Sequence, residues 1–278
     1  MRPLARFAAA LCLAGLAALA APARAQLPSG DDPQASAIWQ KVRTSLFQDR
    51  PIAAATPDTL VLEAPARAVD AAVVPIAIRS RLPQTAARHV SRIYLLIDAN
   101  PSPISAIFQL TPESGRADIE TRVRVDAYSF VRAIAETNDG QLVMATRFVK
   151  ASGGCSAPAG TDPRAALASM GLMRFRIEGD MSGHEPVLAQ LQINHPNHSG
   201  LAMDQATRQY TPAHFVRHVD VSYAGRTILS ADVDFSISEN PTFRFYFVPQ
   251  GAGDLKAAVI DSHELRFVGA QALRDSGR

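Results

Sequence analysis

Lys150-Ala-Ser-Gly-Gly-Cys155-Ser-Ala-Pro-Ala-Gly160 is the stretch on which the reading of this chain turns. It holds one of only two cysteines, and small residues surround that thiol on both sides. Glycine reaches backbone conformations closed to other residues, and a packed structural cysteine usually sits among large apolar side chains. Gly153-Gly154-Cys155-Ser-Ala therefore predicts a sterically open arm with a thiol near its apex. Working outward, alternating strand-like stretches flank the arm on both sides. The expected architecture is mainly β, two antiparallel β-sandwich domains with the thiol presented between them.

The other cysteine, Cys12, falls in an apolar leader. Arg2 and Arg6 give a basic start, Phe7 to Ala21 is uncharged, and Ala23-Arg-Ala25 offers the small residues a signal peptidase reads. Residues 1–25 are thus expected to be a signal peptide, with Gln26 as the mature N-terminus. The leader takes Arg2, Arg6 and Arg24 from the 28 basic residues, leaving 25 against 26 acidic ones, so the formal net charge moves from +2 to −1. That balance gives no reason to expect nucleic acid, and no later run resembles a membrane span. A single cysteine in an exported chain points to a free thiol or an intermolecular bond, such as a disulfide-linked homodimer.

Asp31 to Phe47 is the helix candidate, with Asp31 or Asp32 as cap, Pro33 in the first turn and Ile38, Val42 and Leu46 every fourth residue. Trp39 adjoins that stripe as a packing residue, and Arg50 to Asp58 reads as a connector. The period then becomes two: Leu60–Leu62, Val73–Ile78, Ile93–Ile97, Asp118–Asp126, Phe130–Ala135 and Leu142–Val149 read as strands. In Asp118–Asp126, Ile119, Thr121, Val123 and Val125 take one face, and Glu120, Arg122 and Arg124 are assigned to solvent. Asn138-Asp-Gly140 is a hairpin signal. Beyond the arm, Pro163–Ala168 reads as a helical turn. Strand-like runs follow at Met173–Ile177, Val187–Ile193, Phe215–Tyr223, Thr227–Val233, Phe243–Val248, Lys256–Ile260 and Glu264–Val268.

These residues resemble the SoxY and SoxZ sulfur-carrier proteins joined in one polypeptide, and more closely the fused SoxYZ-like carriers associated with quinoprotein dehydrogenases. The segment from Val131-Arg-Ala-Ile-Ala-Glu136 to Phe148-Val-Lys-Ala-Ser-Gly-Gly-Cys155 is similar to SoxY. His195-Pro-Asn-His-Ser-Gly200, Tyr210-Thr-Pro-Ala-His-Phe-Val216 and Asn240-Pro-Thr-Phe-Arg-Phe245 are similar to SoxZ. The resemblance implies immunoglobulin-like domains at 26–150, with the N-terminal helix, and 166–278, joined by an arm at 151–165. It also implies a periplasmic, non-enzymatic carrier that holds sulfur intermediates covalently on Cys155, with Gly153 and Gly154 as hinge. Sulfur-oxidising or quinoprotein dehydrogenase-linked enzymes would be its partners, and the bound sulfur group its only cofactor. Ser156-Ala157 replaces the family's trailing glycines, and the arm is internal. Held at Ala151 and Thr161, its apex reaches at most roughly 17 Å.

His195, Asn197, His198 and His214 fall within the SoxZ-like motifs and are expected to line a partner surface. The competing reading takes His195, His198 and Met203 as a copper site of an electron-transfer accessory protein, since imidazole and thioether suit that metal. Nucleophilic catalysis needs a histidine positioned beside Cys155, and a glycine-flanked thiol is poorly preorganised for it. Phosphate loops and dinucleotide fingerprints are not apparent.

Overall fold

A computed structural model describes residues 32–205 and 207–274; the expected signal peptide, Cys12, Gln26 and Asp31 lie outside them. Asp32 caps a 3-10 turn at Pro33–Ala35 through a bond from the Gln34 amide, 2.8 Å. Ser36 then caps helix α1, Ala37–Phe47, by accepting from Trp39 N. The single predicted helix is thus two capped pieces, because Ser36 leaves helical backbone angles and offers a second cap. Trp39 and Phe47 are buried while Ile38 is exposed, so the inward stripe runs one residue later than the spacing suggests.

The first half supplies β1 (Ile52–Ala54), β2 (Leu60–Glu63), β3 (Val74–Ser80), β4 (Val90–Ile97), β5 (Ile104–Leu110), β6 (Ile119–Val123), β7 (Ser129–Thr137) and β8 (Leu142–Val149). After the arm come helix α2 (Pro163–Ala168) and strands β9 (Met173–Glu178), β10 (Val187–Ile193) and β11 (Val216–Tyr223). The last four strands are β12 (Arg226–Val233), β13 (Thr242–Phe247), β14 (Gly253–Asp261) and β15 (Arg266–Leu273). Gly140, at φ 84°, closes the predicted β7–β8 hairpin. β1 and β5 were not read from the sequence. Short β1 lies in the Pro/Ala-rich connector and pairs in parallel with β8.

Both halves contribute to both sheets. The larger runs β1-β8-β7-β4-β5-β12-β11-β14-β15 and the smaller β2-β3-β6-β13-β10-β9. Each half is a sandwich, and the two join edge to edge, β5 to β12 (Leu110↔Leu229, Phe108↔Ala231) and β6 to β13. The β5–β12 edge is closed over five ladder positions and the β6–β13 edge over one, and Phe108 packs on Phe243, 6.0 Å between ring centroids, across both seam and sheets. Alternate residues of the two sheets fill one shared apolar core. A second cluster, Trp39, Phe47, Tyr94, Leu96, Ile134 and Leu142, lies where α1 covers the outer face of β4 and β7. For that reason every residue of β7 is buried. Among them Arg132 pairs with Asp98 (2.6 and 2.8 Å) and lies 4.6 Å from the Trp39 ring centroid. No described helix is long and apolar enough to cross a membrane.

Candidate functional site

The arm leaves β8 beside the 66–71 loop, where Lys150 N donates to Ala66 O and Ala68 N to Lys150 O. Its Gly154-Cys155 segment is buried instead of projecting into solvent. Gly153, at φ 78°, turns it back so that Gly153 N donates to Asp126 O (2.7 Å) and Gly154 N to Val125 O (3.0 Å). A Cβ on Gly154 would fall 2.1 Å from Ala71 O, so only glycine lets the backbones approach this closely. Cys155 N donates to Asp126 Oδ1 at 3.2 Å, and the Ser199 hydroxyl donates to Cys155 O. Downstream, both carboxylate oxygens of Glu239 accept from the arm, Gly160 N at 2.8 Å and Thr161 N at 3.2 Å.

Cys155 is consequently buried, at 0% exposure, which corrects the expectation of an accessible thiol. Gly154 permits close docking here. Burial first, then the Asp126 carboxylate, pushes the thiol pKa up to about 12, so the docked sulfur is a neutral, poor nucleophile. The opposing influence is Arg124. Alternation predicts a solvent-facing side chain, but β6 ends at Val123, and Arg124 is 3% exposed. Its Nη1 lies 3.5 Å from Gly154 O and its Nη2 donates to Asn197 O at 3.2 Å, while its Nε–H is buried without a partner.

Residues from both halves build this cradle. Asn100 ties it together, donating to Arg124 O (2.8 Å) and Ser236 Oγ (3.1 Å) and accepting from Asp126 N (2.9 Å). Asp234 accepts from Ser236 N at 2.7 Å, leaves a buried Oδ2 unpartnered, and is pushed up to about 6 by burial. Sequence reasoning missed Arg124, Asp126, Ser199, Asp234 and Glu239. The one usable signal was Ser199, inside the quoted SoxZ-like motif.

The four motif residues meet in one cluster of second-half loops, where the His195 and His214 rings lie 4.8 Å apart and Asn197 touches the cradle through Arg124. Asn197, fully buried, accepts from Arg124 through its carbonyl, donates to Ile237 O and accepts from Val216 N. His198 exchanges backbone hydrogen bonds with His214, and burial, followed by repulsion from Arg124, lowers its pKa. His195 is 1% exposed, and burial lowers its pKa to about 4. Asn197 and His195 thus pack inside the protein instead of lining an open surface, because their polar groups are consumed in ordering the loop.

Among the described residues, the convergent donors are His195, His214 and Asp261, within 4.8 Å of one another; His198 is not among them. His214 Nε2 donates to Asp261 Oδ2 at 2.7 Å, and the His195 Nε2 lies 3.5 Å from the same oxygen. The His195 Nδ1 accepts from Asn197 N at 3.0 Å. In neutral imidazole one nitrogen accepts and the other carries the proton, so Nε2 presents a hydrogen toward Asp261 and not a lone pair. This geometry suits a carboxylate held by the His214 imidazole and two amides, those of His263 and Leu265, with the His195 Nε2 buried nearby without a hydrogen bond, and does not suit a copper ligand.

Comparison with known proteins finds one family match in each half of the chain. The family of sulfur oxidation protein SoxY matches residues 43–155, ending on Cys155 itself, and that of sulphur oxidation protein SoxZ matches 176–271. No curated protein sequence matches significantly. Similar solved structures include the sulfur carrier protein SoxY from Chlorobium limicola f thiosulfatophilum, 24% identical over 41% of this chain and 90% of that one, TM-score 0.34. Another is the superoxide reductase (neelaredoxin) of Ignicoccus hospitalis, 17% identical over 36% and 94%, TM-score 0.31. Scores this low carry no functional weight. The two family matches do: this chain is a SoxY domain and a SoxZ domain fused in one polypeptide, and it belongs to the SoxYZ-like sulfur-oxidation carriers, which are not catalysts.

Proposed function

We propose that Cys155 is the covalent attachment point of a periplasmic carrier that shuttles a sulfur-containing group between partner enzymes. The observation that carries this reading is the end of the SoxY match on Cys155, the one cysteine among the described residues. Loading proceeds from an undocked arm, because the docked thiol is buried and protonated. Joining Sγ to a second thiol releases two electrons, and one proton from each sulfur, to a partner oxidoreductase. The Arg124 guanidinium, whose charge acts on Cys155, offers a charge-assisted donor to an anionic group carried on the sulfur. The partners are sulfur-oxidising enzymes, including ones linked to quinoprotein dehydrogenases, and an undocked thiol is also free to form a disulfide-linked homodimer.

Peptide mass spectrometry on protein taken from periplasm of cells oxidising sulfur compounds tests this. A sulfur-containing mass addition confined to the Cys155 peptide, and absent from Cys155→Ser, is expected. An unmodified Cys155 throughout growth, with the Cys155→Ser strain oxidising sulfur at the normal rate, refutes the carrier role.

A further inference from the structure

The outer face of the smaller sheet carries a groove of about 730 Å³, within the range of roughly 300–1,000 Å³ common for small-molecule sites. It opens where the sheet is weakest. At the seam β6 and β13 share a single ladder position, Glu120↔Arg244, and Pro75 and Ala77 leave a low apolar floor between long side chains.

Three guanidinium groups line the groove, and two are neutralised. Glu120 is held between Arg79 (2.6 Å) and Arg244 (3.0 Å), and Arg244 also reaches Glu178 at 3.2 Å. Arg122 is different. Its Nη2 donates to Thr242 Oγ1 (2.9 Å) and Asn240 O (3.3 Å), which fixes the group in place. Its Nε–H is buried with no partner, and it forms no ion pair among the described residues. A fixed guanidinium without a counter-charge is an anion receptor already organised.

We propose that this groove binds a small organic monocarboxylate, with Arg122 holding the carboxylate and the body lying over Pro75 and Ala77. One unmatched cation calls for one negative charge. A dianion such as sulfate would meet the Glu120 carboxylate, and an inorganic ion would leave the apolar floor bare. Gln190 and Gln192 on the wall supply amide donors and acceptors for hydroxyl groups on the ligand. The site is independent of whether Cys155 carries a group.

Isothermal titration of the full chain with lactate, gluconate and acetate, at constant ionic strength and with sulfate as control, tests the site. Saturable binding of lactate or gluconate is expected, weakened tenfold or more in Arg122→Gln, less in Arg122→Lys, and unchanged in Cys155→Ser. Because Arg122 also ties down the 240–242 loop, a second readout uses the unaltered protein. The Arg122 Nε–H resonance should shift with added ligand and saturate with it. Absence of saturable binding by all three acids, equal binding of sulfate, an unmoved Nε–H resonance, or full affinity in Arg122→Gln overturns the proposal.

Discussion

Replacing Gly154 with alanine should convert Cys155 from one of the least reactive thiols to an ordinary one. The added Cβ would sit 2.1 Å from Ala71 O and 2.7 Å from Val125 O. Both are backbone atoms, which cannot swing aside, so the arm must leave the cradle. In the docked state the thiol pKa stands at about 12 against a reference of 9.0. Three units reduce the thiolate population about a thousandfold at neutral pH, before steric shielding is counted. Labelling then proceeds through opening. Opening breaks the bonds at Gly153 N, Gly154 N, Cys155 N and Cys155 O, each worth about 0.5–1.5 kcal/mol net. A few kcal/mol of docking energy corresponds to an open fraction of about 1% to 0.01%. The second-order rate with iodoacetamide at pH 7.5 should therefore be about 10²- to 10⁴-fold lower in native wild type than in urea, with Gly154→Ala close to the urea value. Native wild type within tenfold of the denatured rate would refute the docked arm. A Gly154→Ala variant as slow as wild type would refute the steric account.

The docked thiol also makes Cys155→Ser a destabilising change, about 1 kcal/mol or more by urea unfolding, since a hydroxyl replaces a buried sulfur without a partner. His195, lowered to about 4 from 6.5, binds fewer protons folded than unfolded over that interval. Its contribution to stability is thus present above pH 6.5 and lost as pH falls toward 4, by about 3 kcal/mol. Asp234, raised to about 6, acts in the opposite direction, so the difference in pH slope between wild type and His195→Gln is the quantity to measure; its absence would place His195 in contact with water. Proteolytic nicking at Ser152 or Ala159 should leave fragments that co-purify until denatured, because β5–β12 and β6–β13 cross the seam. Arg132→Met should cost about 3–5 kcal/mol, as it leaves the Asp98 carboxylate buried without its partner.

Local pattern carried most of the strands. β10 and α2 fall where alternation and the Pro163 signal put them, and Trp39 packs as its place beside the apolar stripe suggests. Alternation failed where a strand stops. Arg124 follows the rhythm of Glu120 and Arg122 in the sequence, but one residue past the end of β6 the pleat no longer decides which way a side chain points. The seam was illegible for another reason. Pairing of Leu110 with Leu229 joins residues more than a hundred positions apart; β12 alone reads like any half-buried strand, and β5 does not stand out from its sequence at all. Arg122 shows the same limit, since the loss of a counter-charge is a property of its neighbours from β13 and the 240–242 loop.

The arm is the most instructive case, because its glycines admit two opposite readings from one physical cause. A residue without a Cβ frees the unfolded chain and equally permits contact distances that no other residue allows. Sequence displays only the absence of the side chain. Which consequence operates depends on whether carbonyls such as those of Ala71 and Val125 stand opposite, and these come from loops 29 to 83 positions upstream of Gly154. For a carrier the two consequences are both useful, at different moments. Gly153 at φ 78° and Gly154 against Ala71 O make the sheltered state, while the same missing side chains lower the barrier to leaving it. Substituting both glycines with valine therefore removes docking and freedom together and cannot tell them apart. Gly153, which faces only the Ser156 hydroxyl at 3.8 Å, has room for a side chain at a backbone angle that asparagine tolerates. Gly154 has none. Gly153→Asn should stiffen an arm that still docks, and Gly154→Ala should free an arm that cannot. A Gly153→Asn thiol that stays slow to alkylate while transfer to a partner falls would separate mobility from shelter; rapid alkylation in that variant would show that shelter depends on Gly153 as well.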